Sequence, residues 1–377
     1  MKNTIGSSVQ LTIFGESHGE AVGAVLDGIA PGVEVSDSFI AERLSRRRPS
    51  GAVDTARVED DDFRILSGIR DGFTTGSPIA VVIPNNNIRS ADYPIGIARP
   101  SHADYTADVK YHGFEDLRGG GHFSGRVTAG IVAAGAVCIK ALEAKGIKVA
   151  THILECAGVR DAAFSQETHL LQEQMEKVDA SDFPVIADVE DKMKDAIFAA
   201  KSDGDSVGGL IQTCIYGIPA GVGEPWFDSL ESSISRAVFG IGGIKGIEFG
   251  SGFGFAGMRG SQANDPFRIK DGKVVTLTNH NGGINGGITN GMPVVFNMAV
   301  KPTPSISKQQ ETVDFHHASE VSLSLKGRHD PAIIRRICPV ITALVAVVVC
   351  DAVSLRFGTD YFTGKNKIWH QKRKMSL

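Results

Sequence analysis

From about Ser124 to Lys145 the chain reads as one long helix, with Gly146 as its stop. Alanine and other small residues occupy every face of it, in the run AGIVAAGAVCIKALEA. A helix that is apolar all round has no face to give to water, so it must be packed tightly in the interior. Whatever this chain folds into is built around that helix. A second apolar run, ICPVITALVAVVVC from Ile337 to Cys350, is followed at once by Asp351. It is shorter than the roughly 20 residues that a membrane span needs, and reads as another buried element.

Between these runs the patterning is mixed. Val9–Phe14, Ile79–Ile83, Leu210–Tyr216 and Met292–Val300 read as strands. Ser38–Arg48 reads as a helix with Phe39, Ile40 and Leu44 on one face, and residues 229–239 as a short amphipathic helix. Residues 161–201 are charged and helical in pattern, and are expected to be peripheral. The basic tail over 365–377 is expected to fray. There is no tandem repeat and no regular strand–helix alternation, and the glycine-rich segments match neither GxGxxG in a strand–turn–helix context nor GxxxxGK[ST]. A doubly wound nucleotide-binding sheet is therefore disfavoured. At 377 residues, length alone suggests two or three domains, although large single enzyme domains exist.

The formal charge of -4 gives no support to a nucleic-acid binder. Five cysteines, Cys138, Cys156, Cys214, Cys338 and Cys350, form no CxxC pair and fit no structural zinc spacing. They read as buried thiols rather than a disulfide framework. The N-terminus lacks the apolar core of a secretory signal, so a cytoplasmic location is expected, without membrane attachment.

Several side chains are suited to chemistry. His18 lies between Gly15 and Gly19 at the end of the first strand, with Glu16 and Ser17 beside it. Its ordinary pKa suits proton transfer, and an ordinary turn histidine fits the isolated GESHG equally well. Arg46, Arg47, Arg48, Arg57 and Arg126 could clamp carboxylate or phosphate, or could be solvated surface charges. His102 sits in ARPSHADY, and His122 directly follows three glycines. Asp330 lies in GRHDP beside Arg328 and His329, an arrangement that favours the charged carboxylate. Gly119–Gly121 precede the small-residue helix, whose start would offer free N–H groups and a positive dipole end to an anion. His316 and His317 could bind a metal, but adjacent residues do not share a helix face, and ordinary surface residues fit better. No metal site is expected.

Taken in order, these words resemble the chorismate synthase family over nearly the whole chain. IFGESHG, RRRPS, RILSGIRDGFTTGSPIAVVI, NNNIRSADY, RPSHADYTADVKYHGFEDLRGGGHFSGRVTAG, KPTPSI and GRHDP follow one another at the family's spacing. The resemblance implies an α+β fold, a single-domain β-α-β layered sandwich with helices between antiparallel sheets, covering residues 1–377. It implies a carbon–oxygen lyase that converts 5-enolpyruvylshikimate 3-phosphate to chorismate and phosphate by 1,4-anti elimination, the last common step of the shikimate pathway. Reduced FMN is required although there is no net redox change.

The resemblance also implies roles. His18 matches the histidine that protonates the leaving phosphate. His102 matches the histidine that keeps the reduced flavin in its protonated form, and Asp330 the carboxylate linked to proton transfer at flavin N5. Arg48, Arg57, Arg126 and Arg328 match arginines on the substrate or flavin anions, with Arg126 and Arg328 serving both. Ser124 resembles a flavin contact, Lys301 and Ser305 match the region holding the flavin phosphate, and Gly287 matches a close backbone approach to the flavin. A homotetramer is implied. Some relatives reduce their own flavin with NADPH, but nothing here forms an extra reductase domain, so a separate flavin reductase is expected. The chain departs from the family pattern at His122 and Phe123, where arginine and serine are usual, at Val53, and at Asn87, where aspartate is usual.

Overall fold

The computed structural model describes residues 2–49, 53–54, 61–86, 96–325 and 330–364. Arg57, Asn87, Arg328 and the 365–377 tail lie outside the described residues.

Two antiparallel sheets enclose a helical layer. The first sheet contains β1 (Thr4–Ile5), β2 (Gln10–Gly15), β3 (Ala21–Asp27), β4 (Arg64–Ile65) and β5 (Ile79–Pro84), in the order β1–β2–β3–β5–β4. The second contains β6 (Lys148–Cys156), β7 (Val159–Arg160), β8 (Gly209–Tyr216), β9 (Ile244–Phe249) and β10 (Val294–Val300), in the order β9–β10–β8–β6–β7. The principal helices are α1 (Asp37–Arg47), α2 (Asp104–Tyr111), α3 (Thr128–Glu143), α4 (Thr168–Ala180), α5 (Glu190–Ser202), α6 (Leu230–Val238) and α7 (Ile334–Phe357). Helix α3 packs on β3 and β5 of the first sheet, α7 packs on β6 of the second, and the two helices pack on each other. The fold is therefore α+β, with helices between antiparallel sheets.

Small residues let these layers close. A side chain at Gly130 of α3 would stand 2.6 Å from the carbonyl carbon of Gly23 in β3. One at Gly135 would stand 2.6 Å from the carbonyl oxygen of Ala343 in α7. The small-residue helix thus has a backbone neighbour on both sides, which explains its lack of a polar face.

Two sequence expectations need correction. Helix α3 begins at Thr128, and the residues from Arg118 to Val127 form two short 3-10 turns instead of its first turns. The glycine run therefore shapes a loop and does not present the start of α3. The final apolar element is a helix of 24 residues, so length alone would let it span a membrane. Its most apolar window is 83% buried inside the molecule, so it serves as core.

Helix α4 packs on β6, where Leu171, Met175 and Val178 form a small separate cluster with Ala150, Phe164 and Cys214, whereas Met193 and Ile197 of α5 are buried in the main core, so the 161–201 segment is only partly peripheral. Buried Asp161 pins this segment by accepting the N–H groups of Ile186 at 2.6 Å and Ala187 at 2.7 Å, with the ring Nδ1 of His152 at 3.2 Å. Asp179 of α4 also pairs with Arg43 and Arg46 of α1. The charged segment is thus attached to the arginine helix. All five cysteines are buried free thiols, and burial pushes Cys156 up to about 12.

Candidate active site

Ser36 accepts the N–H of Phe39 and so starts α1 cleanly, while Ile40 and Leu44 bury its apolar face. That packing carries three consecutive arginines to the end of the helix, and they diverge. Arg46 pairs with Glu42 and Asp179. Arg47 is buried and donates from Nη2 to Asp61 Oδ2 at 3.2 Å. Arg48 caps the helix, its N–H donating to Ser45 O at 3.1 Å.

Buried Asp61 also accepts from Arg126. Arg126 in turn donates from Nε to Asn85 Oδ1 at 2.9 Å and from Nη2 to Pro84 O at 3.1 Å. Asn85 stands just beyond β5, and its amide donates to the carbonyls of Glu16 and Gly19, each at 2.9 Å. Two guanidinium groups, one carboxylate and one amide therefore tie α1, the Arg126 turn and the GESHG loop together. Low solvent access strengthens every charge interaction in that set.

His18 is 8% exposed in that loop, and its ring fills the space that a side chain at Gly119 would take. Gly119 has φ +62, a left-handed conformation in which glycine carries no steric penalty. The Ser17 N–H donates to Gly121 O at 3.0 Å. Ser17 Oγ is buried and, among the described residues, without a hydrogen-bond partner. Such an orphan hydroxyl in a polar loop fits a ligand contact. Ser124 accepts the Arg126 N–H at 3.3 Å and so orders the turn that carries that arginine.

The departures at 122 and 123 have local explanations. His122 Nδ1 lies 2.8 Å from Gly15 O and its Nε2 lies 3.2 Å from Asn3 Oδ1, so it braces the strand leading into the GESHG loop. Phe123 makes an edge contact with Tyr111 of α2. Val53 is buried.

A second group forms where residues 99–104 meet the end of β10. His102 Nε2 and Ser305 Oγ are 2.7 Å apart. Lys301 donates from Nζ to Ser101 O at 2.7 Å and to its hydroxyl at 3.0 Å. Partial burial, with Lys245 nearby, holds the Lys301 ammonium below the ordinary lysine range. An ammonium in that position gains from an anionic partner. Arg99 clamps Asp104 through Nε at 2.8 Å and Nη2 at 2.7 Å. Burial opposes ionisation of Asp104, but its bonds to Arg99 outweigh this and hold it below the ordinary carboxylate range.

Asp330 reaches the first group through Arg336 of α7. Arg336 donates from Nη1 to Asp330 Oδ2 at 2.6 Å and from Nε to Arg47 O at 2.9 Å. Gly287 stands in the turn between the short strands Ile284–Asn285 and Ile288–Thr289. A side chain there would meet Glu224 O and come within 2.8 Å of Ser229 Cβ, so the packing of this turn itself calls for glycine. His317 pairs with Asp314 at 2.9 Å, and both His316 and His317 are exposed.

Sequence reasoning singled out His18, Arg126, His102, Lys301, Ser305 and Asp330, and missed Asp61, Asn85, Arg99, Asp104 and Arg336. Asp61 is one of several acidic residues in a row, and Arg336 opens a helix that reads only as core. The pair in ARPSHAD, Arg99 and Asp104 five residues apart, was the one signal open to a reader.

A family model described as chorismate synthase matches residues 9–354. The chorismate synthase of Thermococcus kodakarensis is 45% identical over 348 residues, covering 92% of this chain and 96% of that protein. That of Methanosarcina barkeri is 44% identical over 355 residues, covering 93% and 95%. That of Dehalococcoides mccartyi is 43% identical over 361 residues, covering 95% and 98%. A crystal structure of chorismate synthase superposes with a TM-score of 0.75 at 29% identity, covering 94% of each chain.

Proposed function

The chain belongs to the chorismate synthase family, and from that premise we propose how its residues divide the family's reaction among themselves. The reaction is loss of phosphate from 5-enolpyruvylshikimate 3-phosphate to give chorismate, a carbon–oxygen lyase step of aromatic amino-acid biosynthesis, and the family is flavin-dependent. The flavin is reduced FMN. When bound, it supplies reversible electron donation to a reaction with no net redox change.

His18 donates a proton to the leaving phosphate oxygen. Its burial in the GESHG loop and its seat against Gly119 give it a defined direction, which general acid catalysis needs. His102 holds the flavin in its protonated form, with Ser305 fixing the ring. Asp330 moves the proton associated with flavin N5. Arg126, together with Arg48, Arg57 and Arg328, binds the substrate and flavin anions. Lys301 and Ser305 hold the flavin phosphate, and Ser124 and Gly287 contact the flavin. Ser17 Oγ, buried and in need of a partner, fits the same ligand group. Residues 1–377 act as a single domain within a cytoplasmic homotetramer, and a separate reductase supplies the reduced flavin.

The observation that carries this reading is the continuous hydrogen-bond network that runs from His18's loop through Asn85, Arg126, Asp61, Arg47 and Arg336 to Asp330, buried at Arg126, Asp61 and Arg47. It links the loop of a proton donor to two carboxylates and three guanidinium groups. The test is an anaerobic assay with chemically reduced FMN and 5-enolpyruvylshikimate 3-phosphate. Chorismate and phosphate should appear in equal amounts. Folded protein that binds both ligands and yields neither product would refute the reading.

A further inference from the structure

Two consecutive arginines at the start of α7 reach the same stretch of backbone. The end of α1 leaves carbonyl oxygens without partners inside the helix. Arg335 donates to Arg46 O at 3.3 Å and to Arg48 O at 2.6 Å, and Arg336 takes the carbonyl between them, Arg47 O, at 2.9 Å. Their remaining contacts differ. Arg335 pairs with Asp54 and donates to Asp182 O at 3.2 Å, which holds the 53–54 turn and the end of α4 in place. Arg336 turns instead to Asp330, Nη1 to Oδ2 at 2.6 Å, with both side chains 14% exposed.

Asp330 stands outside any helix or strand, four residues before α7. The Arg336 contact is thus a fixed donor to a carboxylate that stands on irregular backbone. A guanidinium is a rigid planar fork, so seating Nε on Arg47 O fixes where Nη1 points. A lysine in its place would offer a single flexible nitrogen, unable to hold both acceptors in one geometry.

We propose that Arg336 is a positioning residue that aims the Asp330 carboxylate and couples it to the arginine segment ending α1. The inference rests on the reading of Asp330 as a proton-transfer group. It implies that α7, otherwise a core helix, contributes to turnover through its first turn.

The experiment compares the wild type with Arg336→Gln, Arg336→Lys, Asp330→Asn and the double variant Asp330→Asn/Arg336→Gln. Crystal structures read the carboxylate direction, and turnover with 5-enolpyruvylshikimate 3-phosphate and reduced FMN reads its consequence. The carboxylate should turn away in Arg336→Gln, with kcat falling about 100-fold, the scale of a misplaced catalytic group, and with KM unchanged. Arg336→Lys should resemble Arg336→Gln, because it keeps the charge and loses the fork. It also carries the comparison if Arg336→Gln fails to fold. In the Asp330→Asn background, Arg336→Gln should cost little more, since a positioning residue acts only through its target. An unmoved carboxylate, additive losses or wild-type kcat in Arg336→Lys would each overturn the proposal. A displaced carboxylate beside a wild type that makes no chorismate would uphold the positioning role and sink the proton-transfer reading.

Discussion

Gly135→Ala sets two physical effects of opposite sign against each other. Gly135 lies within the 16-residue helix α3, where alanine is favoured over glycine by about 1 kcal/mol. On local grounds the substitution should stabilise the protein. The new Cβ, however, would stand 2.6 Å from Ala343 O, 2.7 Å from Ala343 Cβ and 2.8 Å from Ala343 C on buried α7. Two of those three atoms are backbone of a packed helix and cannot swing aside. Overpacking a tight core costs about 1–3 kcal/mol, and backbone contacts argue for the upper end, about 3 kcal/mol. The net expectation is destabilisation by about 2 kcal/mol once the helix preference of about 1 kcal/mol is subtracted. Urea unfolding followed by two optical probes would show this as a lower midpoint with an unchanged slope, provided the two transitions coincide. Removing the Ala343 methyl relieves one of the contacts, so Gly135→Ala/Ala343→Gly should lose less than the sum of the single variants. A Gly135→Ala protein as stable as the wild type would refute the claim that glycine is there for helix approach.

Three further outcomes are expected. Asp61→Asn leaves buried Arg47 and Arg126 without their shared carboxylate, so unfolding free energy should fall by about 3–5 kcal/mol; a loss under about 1 kcal/mol in denaturant titrations would show that the remaining partners suffice. Asp104 is held below the ordinary carboxylate range in the folded protein, so its pairing stabilises above about pH 4 and is lost as pH falls through the lower folded value. The stability gap between wild type and Asp104→Asn should therefore be full at neutral pH and close under acid, and a pH-independent gap in acid-unfolding curves would contradict this. Lys301→Ala should raise the FMN dissociation constant about 10- to 100-fold, the size of one charge-assisted hydrogen bond, and equal binding by fluorescence titration would remove Lys301 from the flavin site.

Local patterning made much of the scaffold legible. The strand read at Val9–Phe14 is β2, the strand at Leu210–Tyr216 is nearly all of β8, and the helix read at Ser38–Arg48 is α1 with its ends moved by one residue. Elements with a strong period declare themselves because side-chain burial repeats along the chain. The start of α3 was misjudged because three glycines look like a helix entry, whereas left-handed φ at Gly119–Gly121 makes them a loop. The extent of α7 was underestimated because Asp351 looks like the end of the apolar run, whereas the helix continues through it to Phe357, and Arg335 and Arg336, which precede the run, form part of its first turn.

The order of the chemical words was enough to indicate the family and to single out His18, His102, Arg126 and Asp330, because those residues lie in short contiguous motifs. Their partners were not legible. Asp61 meets Arg126 across 65 positions, Arg336 reaches Arg47 O across 289, and Ser305 meets His102 across 203. Nothing in the local period of a loop or a core helix says which buried charge will face which, because the match depends on where the two sheets and the helices between them bring distant segments. The order of residues alone required a small-residue helix to be enclosed and supplied histidines, carboxylates and arginines suited to proton transfer and anion binding. Tertiary structure decided which of those groups are held in a fixed direction, since a buried guanidinium or carboxylate is stable only where the fold delivers its partner.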